Sequence, residues 1–421
     1  MLVVVCGWLL TQGPHAVTEA LLRTGVAGRR HHEAYHRFFS RARWEPDALG
    51  LWLFRRLTPF LGDGAVQVAI DDTLAPKKGP HVFGLASHVD AVRSTRRHRA
   101  FCFGHCWVVL AVLVRVPFSK RTWALPVLLR LYRSKRETAS HQAEYAKKTE
   151  LARELLDVFV TWVGDRRIEA AMDAAYCNAT VTRELPPSIV LFGAMRPDAV
   201  LTAAPEPRSE GAKGRPKRRG VVLPKPLQLA ADENHPWQTA KAFLYGKTTE
   251  VRFKTYCAQW YRACGVRLLR VVVVMTDRGQ IPFRVFFCTD PNLDVVRILE
   301  TYSGRWGVEV FFREAKQLLG FADSSARTER AVRRVAPLVG LLYTALVVWF
   351  LESHGRRFEA LVPIRPWYPQ KSGLCFADIL RTARSAIASV DILDLANGSS
   401  NFTVTTPSAP PSANSNEKLA A

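Results

Sequence analysis

The stretch that decides the fold reads Val66-Gln-Val-Ala-Ile-Asp-Asp-Thr73. Its apolar residues alternate as far as Ile70, which is typical of a β-strand, and two aspartates follow at once. Asp72 is in phase with the alternating apolar residues, whereas Asp71 is not. A carboxylate at a strand end often forms a turn or caps a helix, so this pair alone does not establish a catalytic site.

The next stretches of the chain predict the rest of a sheet. Residues 106–116 and 122–132 are rich in Val, Leu and Trp and predict two more strands, and residues 138–163 predict a helix. A strand that ends at Asp173, a short helix and a strand at residues 188–192 complete the order β-β-β-α-β-α-β. That is the element order of a ribonuclease-H-like mixed sheet flanked by helices, so we predict an α/β protein of this class.

Patterns on either side of this sheet suggest five regions. They are an N-terminal helical region (1–58), the first part of the core (59–195), an inserted β-rich subdomain with a basic loop (196–292), the C-terminal part of the core (293–396) and a disordered tail rich in Ser, Pro and Asn (397–421). The N-terminal helices carry basic faces. They could form a module that binds a DNA end or a helical lobe packed on the core.

The composition restricts the class of partner. The 421 residues include 59 Lys and Arg against 37 Asp and Glu, a net charge of +22, and 48% of them are apolar. Such an apolar content excludes a disordered basic tail and supports a folded protein. The positive charge points to a polyanionic partner, either nucleic acid or an anionic membrane surface.

The sequence favours a soluble protein of a reducing compartment. The apolar N-terminal segment lacks the basic residues of a signal peptide, so we do not predict one. The apolar stretch 336–351 is shorter than the ~20 residues of a membrane span, so it predicts a buried core helix. Eight cysteines occur without a CxxC motif. The closest approach to a metal cluster, Cys102-Phe-Gly-His105-Cys106, fits an apolar strand better than a zinc site.

A charged helix is predicted near the C-terminal end of the core. Five residues share one narrow stripe at ~100° per residue, and the apolar residues face the other way; the five are Tyr302, Arg305, Glu309, Arg313 and Lys316. Gly320 provides a helix stop. Glu309 could simply pair with Arg305 and Arg313 on a solvated face, or it could be a metal ligand beside a DNA backbone.

The spacing Tyr-x2-Arg-x3-Glu-x6-Lys at Tyr302, Arg305, Glu309 and Lys316 matches the YREK signature. It resembles bacterial cut-and-paste DDE transposases of the insertion-sequence-four superfamily. Residues 70–79, 104–108 and 214–220 look like the 701-type branch of that superfamily. The resemblance covers nearly the whole chain short of its tail.

The resemblance implies a metal-binding triad of Asp72, Asp173 and Glu309 that holds two Mg²⁺ ions, which Mn²⁺ can replace. Asp71 competes with Asp72 for the first position; strand phase and the Asp-Thr dipeptide of relatives favour Asp72. By analogy, Tyr302, Arg305 and Lys316, together with Arg313, would contact the DNA. Trp306 would probe the gap left by a displaced base, and its alternative role is that of a core aromatic.

The function that follows is a transposase that binds the terminal inverted repeats of its own element. It would cleave and join double-stranded DNA as a homodimer in a paired-end complex, and it would be a cytoplasmic, nucleoid-associated bacterial protein. The alternative is a catalytically inactive, transposase-derived DNA-binding protein. A polybasic membrane-surface protein is disfavoured because neither a basic amphipathic helix nor an anchor is evident.

Overall fold

The structure is a computed structural model that describes residues 1–90, 93–95, 97–207, 214–276, 283–390 and 392. The helices are α1 (Leu2–Leu10), α2 (Val17–Arg23), α3 (Glu33–Ser40), α4 (Pro46–Leu57), α5 (Lys135–Ser140), α6 (Lys148–Val163), α7 (Ala179–Thr182), α8 (Pro226–Ala231), α9 (Tyr261–Cys264), α10 (Val295–Gly304), α11 (Trp306–Leu318), α12 (Glu329–His354) and α13 (Phe376–Ala388). The strands are β1 (Val66–Pro76), β2 (Ala86–Val89), β3 (Phe101–Arg115), β4 (Thr122–Tyr132), β5 (Ile168–Met172), β6 (Ile189–Met195), β7 (Gln238–Leu244), β8 (Lys247–Gln259), β9 (Leu268–Met275) and β10 (Phe283–Cys288).

All ten strands belong to one mixed sheet in the order β2-β3-β1-β5-β6-β10-β9-β8-β7, with β4 paired to β3. Strand β5 is parallel to both β1 and β6, and the other pairs are antiparallel. The predicted α/β class with a mixed sheet flanked by helices is confirmed. The strands β7 to β10, expected in an inserted subdomain, instead continue the central sheet, because β10 pairs with β6.

The helices cover the sheet on two faces. Side chains of β1 that are in phase with Gln67 face α10, since Gln67 donates a hydrogen bond to Thr301 of that helix. Those in phase with Val66 face α6, where Lys148 reaches Asp72. This division of β1 between two helical layers determines where each of its aspartates points.

Helix α12 is the longest helix in the described part of the chain and forms part of the core. By length and composition it could cross a membrane, but 83% of its most apolar window is buried inside the protein. It includes the stretch 336–351, which the sequence predicts to be a buried core helix, and the burial confirms that prediction.

The N-terminal helices are tied to the C-terminal ones by polar contacts. Arg334 of α12 is buried and donates hydrogen bonds to the backbone carbonyls of Phe39, Ala42 and Trp44. The indole of Trp8 donates to the Leu319 carbonyl over 2.9 Å. Helices of residues 1–58 therefore pack on the core, while basic residues such as Arg29, Arg30, Arg41 and Arg43 remain exposed. The prediction that this region binds a DNA end stays a prediction.

Some sequence predictions concern residues outside the described part. These are the tail 397–421, the turn 277–280 and residues 208–213 of the basic loop. Gly320 lies two residues after the end of α11 with φ of +64°, which agrees with the helix stop predicted there.

The segment considered for zinc is a strand. Residues 102–106 belong to β3, and all eight cysteines are free thiols. His105 is buried, and its Nε2 lies 2.9 Å from the Phe83 carbonyl oxygen, which makes it a hydrogen-bond donor in the core. Burial lowers the pKa of His105 to about 4.

Replacement of His105 by Gln is expected to weaken the pH dependence of stability. In the unfolded chain the imidazole takes up a proton near pH 6.5, whereas the folded protein resists protonation until about pH 4, so acid favours unfolding. Acidification from about pH 7 to pH 4 should therefore lower the free energy of unfolding of the variant by roughly 3 kcal/mol less than that of wild type. Urea unfolding at both pH values measures this, and an unchanged pH dependence in the variant would contradict it.

Candidate active site

Two adjacent aspartates of β1 point to opposite faces of the sheet. In the parallel pair of β1 and β5, Ile70 lies beside Met172, so the next residues, Asp71 and Asp173, are neighbours. Gln67 and Glu169 lie four residues before Asp71 and Asp173 and on the same side of their strands, and Gln67 donates a hydrogen bond to Glu169 over 2.8 Å. Asp71 and Asp173 therefore share the face covered by α10 and α11, and Asp72 lies on the other face.

Glu309 reaches the same face from α11 through Arg305. The guanidinium of Arg305 donates to Asp71 Oδ2 over 2.5 Å and to Glu309 Oε1 over 2.9 Å. Arg305 follows α10 and precedes α11, and its side chain is only 13% exposed. Arg305 thus bridges Asp71 and Glu309, two carboxylates that are 238 positions apart in the chain.

The charged groups around Asp71 and its burial shift its pKa. Burial raises the pKa of Asp71 to about 6, Arg305 opposes the shift, and the negative charges of Asp72 and Asp173 add to it. When a carboxylate has a raised pKa because other carboxylates lie beside it, a nearby cation stabilises its charged form. Arg305 supplies such a cation in this structure.

Asp72, which the sequence places in the triad, has a different environment. It accepts hydrogen bonds from Lys148 Nζ over 2.6 Å, from the Tyr176 hydroxyl over 2.6 Å and from the Cys106 thiol over 3.2 Å. Although burial acts in the opposite direction, Lys148 and these hydrogen bonds hold the pKa of Asp72 below its usual value. The phase argument correctly grouped Asp72 with Val66, Val68 and Ile70, but that group faces α6 and not α11.

The other stripe residues occupy distinct positions. Tyr302 is partly buried against Phe286, with ring centroids 4.6 Å apart, and burial raises its pKa to about 12. Arg313 is exposed, and Lys316 is partly buried, which lowers its pKa. Arg305 separates α10 from α11, but its own backbone angles are helical. The helical spacing predicted for the five stripe residues therefore continues from one helix into the next.

Trp306 is 47% exposed, so it is not a core aromatic. Its ring meets the ring of Tyr245 edge-on, with centroids 6.3 Å apart. Both line a cleft whose other lining residues include Arg115, Arg121 and Glu314. Sequence reasoning missed Tyr245, Arg115 and Arg121 because they lie far from the motif in the chain: Arg115 ends β3, Arg121 lies just before β4, and Tyr245 lies on the turn after β7.

Asp71, Asp173 and Glu309 are the candidate ligands for a metal ion. Among the described residues, no group of three or more His, Cys, Asp or Glu side chains is already arranged around a metal position. Arg305 stands between Asp71 and Glu309, and its Nε is buried with no hydrogen-bond partner in the described part of the chain. Oxygen ligands that already hold a cation fit Mg²⁺ chemically, provided that the guanidinium moves away.

Comparisons with known proteins place this geometry in context. A family model described as DDE superfamily endonuclease matches residues 1–262. No curated protein matches the chain significantly. A cryo-EM structure of a piggyBac transposase synaptic complex with hairpin DNA is similar at a TM-score of 0.43 and 8% sequence identity, over 98% of this chain and 78% of that chain.

Proposed function

The chain belongs to the DDE superfamily of endonucleases, and from this premise we propose that it is the transposase of a bacterial insertion sequence. It binds the terminal inverted repeats of its element and catalyses metal-dependent cleavage and joining of double-stranded DNA. The paired-end complex contains two copies of the chain. Its sheet belongs to the ribonuclease-H-like class, and the YREK residues on α10 and α11 carry the contacts with DNA.

One observation carries the proposal: Asp71 and Asp173 share the sheet face that Glu309 approaches from α11. Three carboxylates from separate elements on one face form the donor set that two divalent ions require for phosphoryl transfer. Arg305 already neutralises two of them. We therefore assign Asp71, and not Asp72, to the triad with Asp173 and Glu309.

These carboxylates would hold two Mg²⁺ ions, with Mn²⁺ as an alternative. When bound, the ions activate the attacking water or 3′-hydroxyl and stabilise the leaving oxygen. The protein itself orients the DNA. Lys316 and Arg313 lie on the same stripe as Glu309 and hold phosphates beside it, while Tyr302 packs under Arg305, whose guanidinium lies 5.7 Å from its ring.

Arg305 would have two sets of partners. It pairs with Asp71 and Glu309 in this structure, and it would have to leave both carboxylates if they held a metal ion. Phosphate oxygens are then the natural acceptors for a guanidinium, because the fork of donors matches them. Trp306 and Tyr245 beside this position offer exposed rings to a displaced base.

A cleavage assay tests the proposal. Purified protein is incubated with Mg²⁺ and supercoiled plasmid that carries the DNA flanking the reading frame, and nicked and linear products are measured on gels. Wild type should cut, whereas Glu309→Gln should lose cleavage by about 10³-fold or more because a metal ligand is lost. Glu329→Gln, at an exposed carboxylate paired with Arg333, should cut like wild type.

Two results would contradict this assignment. A wild type that binds DNA but never nicks it would support the inactive, transposase-derived DNA-binding protein. A Glu309→Gln variant that cuts as fast as wild type would remove Glu309 from the triad while leaving nuclease activity itself in place.

A further inference from the structure

Strands β2 and β3 form a two-stranded ribbon that extends beyond the rest of the sheet. Ser87 pairs with Phe103 and Val89 with Phe101. Along β3, pairing with β1 begins only at Gly104 and pairing with β4 only at Cys106. Among the described strands, Phe101 and Cys102 therefore pair with β2 alone, while the Phe103 carbonyl also accepts a hydrogen bond from the Lys77 amide over 2.9 Å.

One face of this ribbon is apolar and exposed. Phe101 is 65% exposed, Phe103 is 62% exposed and Val89 is 48% exposed. Directly paired residues of an antiparallel ribbon point to the same side, so these three side chains form one patch. Two exposed phenyl rings on a projecting ribbon are costly in water and mark an interaction surface.

The apolar patch lies on the side of the sheet that carries the active site. In the β1–β3 pair, Thr73 is opposite Trp107 and Ala75 is opposite His105, so the odd-numbered residues of β3 are in phase with Asp71. Phe101 and Phe103 continue that phase. The ribbon is also close to α11, because the charge of Asp90, which follows β2, acts on Lys316.

The end of the ribbon is basic. Arg93, Arg97, His98 and Arg99 are exposed there. The turn that carries them is held by hydrogen bonds: the Asp90 amide donates to the Ala100 carbonyl over 2.9 Å, and the His98 amide donates to Thr95 Oγ1 over 3.1 Å. These cations therefore lie at the same end of the ribbon as the phenyl rings.

We propose that the β2–β3 ribbon is a DNA-binding arm, in which Phe101 and Phe103 stack on unpaired bases next to the cleavage site while the basic turn holds the backbone. Exposed aromatic rings beside cations are the combination that binds unstacked nucleic acid strands. A second copy of the chain is disfavoured as the occupant, because its net charge of +22 would repel the arginines. The inference rests on the proposed function for the position of the DNA.

Binding measurements test the arm without requiring cleavage. The probes are a fluorescent 30-base-pair duplex and a forked duplex of the same sequence with unpaired arms, both without metal. Wild type should prefer the forked probe, and the double variant Phe101→Ser with Phe103→Ser should lose about tenfold in affinity for it while it binds the paired probe as before. Trp367→Ser, at an exposed aromatic on the loop after α12, is the matched control and should keep the preference.

The basic turn gives a second, independent readout. Arg97→Ser with Arg99→Ser should weaken binding to both probes and lower the slope of log affinity against log salt by about 2. All these side chains are exposed, so circular dichroism melts should match those of wild type.

Two outcomes would overturn the proposal. One is an unchanged preference for the forked probe in the double phenylalanine variant. The other is sedimentation that shifts from dimer to monomer in that variant without DNA, which would make the ribbon an interface between copies. A third result separates the arm from the proposed function. If wild type does not cleave DNA but prefers the forked probe, and the double variant loses that preference, the proposed transposase is refuted and the arm is still supported.

Discussion

Replacement of Asp71 by Asn is expected to abolish DNA cleavage, with a loss of about 10³-fold or more, because under the proposed function it removes one of the carboxylates that would hold the catalytic metals. Asn keeps the size of the side chain and can still accept a hydrogen bond from Arg305. The fold should therefore persist. The cleavage assay with Mg²⁺ measures the loss, and DNA binding without metal verifies that the variant still engages its substrate.

The adjacent Asp72→Asn variant is the matched control for Asp71→Asn. Asp72 faces α6 and pairs with Lys148, Tyr176 and Cys106, so its replacement should lower the melting temperature without stopping cleavage. The pair of variants separates two explanations that the sequence left open. Cleavage that survives in Asp71→Asn but disappears in a folded Asp72→Asn protein would return Asp72 to the triad.

Replacement of Arg334 by Met is expected to lower the free energy of unfolding by about 3–5 kcal/mol, because a buried cation with several hydrogen bonds disappears. Three carbonyls, those of Phe39, Ala42 and Trp44, would lose their donor inside the protein. Methionine fills much of the volume, so the loss reports the polar contacts and not a large cavity. Urea unfolding measures the change.

The neighbouring Arg333→Met variant controls for the removal of one positive charge. Arg333 is exposed, pairs with Glu329 one turn earlier and lies over the ring of Phe83 at 5.4 Å, contacts that are each worth ~1 kcal/mol or less. We expect its stability to stay close to that of wild type. Equal stability losses in the two variants would show that the contacts of Arg334 do not hold the N-terminal helices on the core.

Several parts of the site follow from sequence alone because they depend on local periodicity. The alternation after Val66 determines that Asp71 and Asp72 point in opposite directions, whatever lies on either side. Helical spacing likewise places Arg305 one turn from Glu309, and the structure shows them hydrogen bonded. Gly320 is a third example, since its positive φ is a backbone property of the residue itself.

Other parts required the tertiary structure. Which of the two aspartates meets Glu309 depends on which helix packs on which face, and this is decided by residues as distant as Gln67, Glu169 and Thr301. The same holds for Tyr245, which reaches Trp306 only because β7 and β8 extend the central sheet. No local pattern contains that information.

Local sequence patterns therefore predict the kinds of residue in the candidate site and the side of each strand or helix on which they lie. Only the packing of distant elements shows which of those sides face one another, and it puts Asp71 on the face of Asp173 and Asp72 on the opposite face. The physical reason is that strand and helix periodicity is a short-range property of the backbone. The pairing of faces depends instead on burial of apolar surface between elements that are distant in the chain.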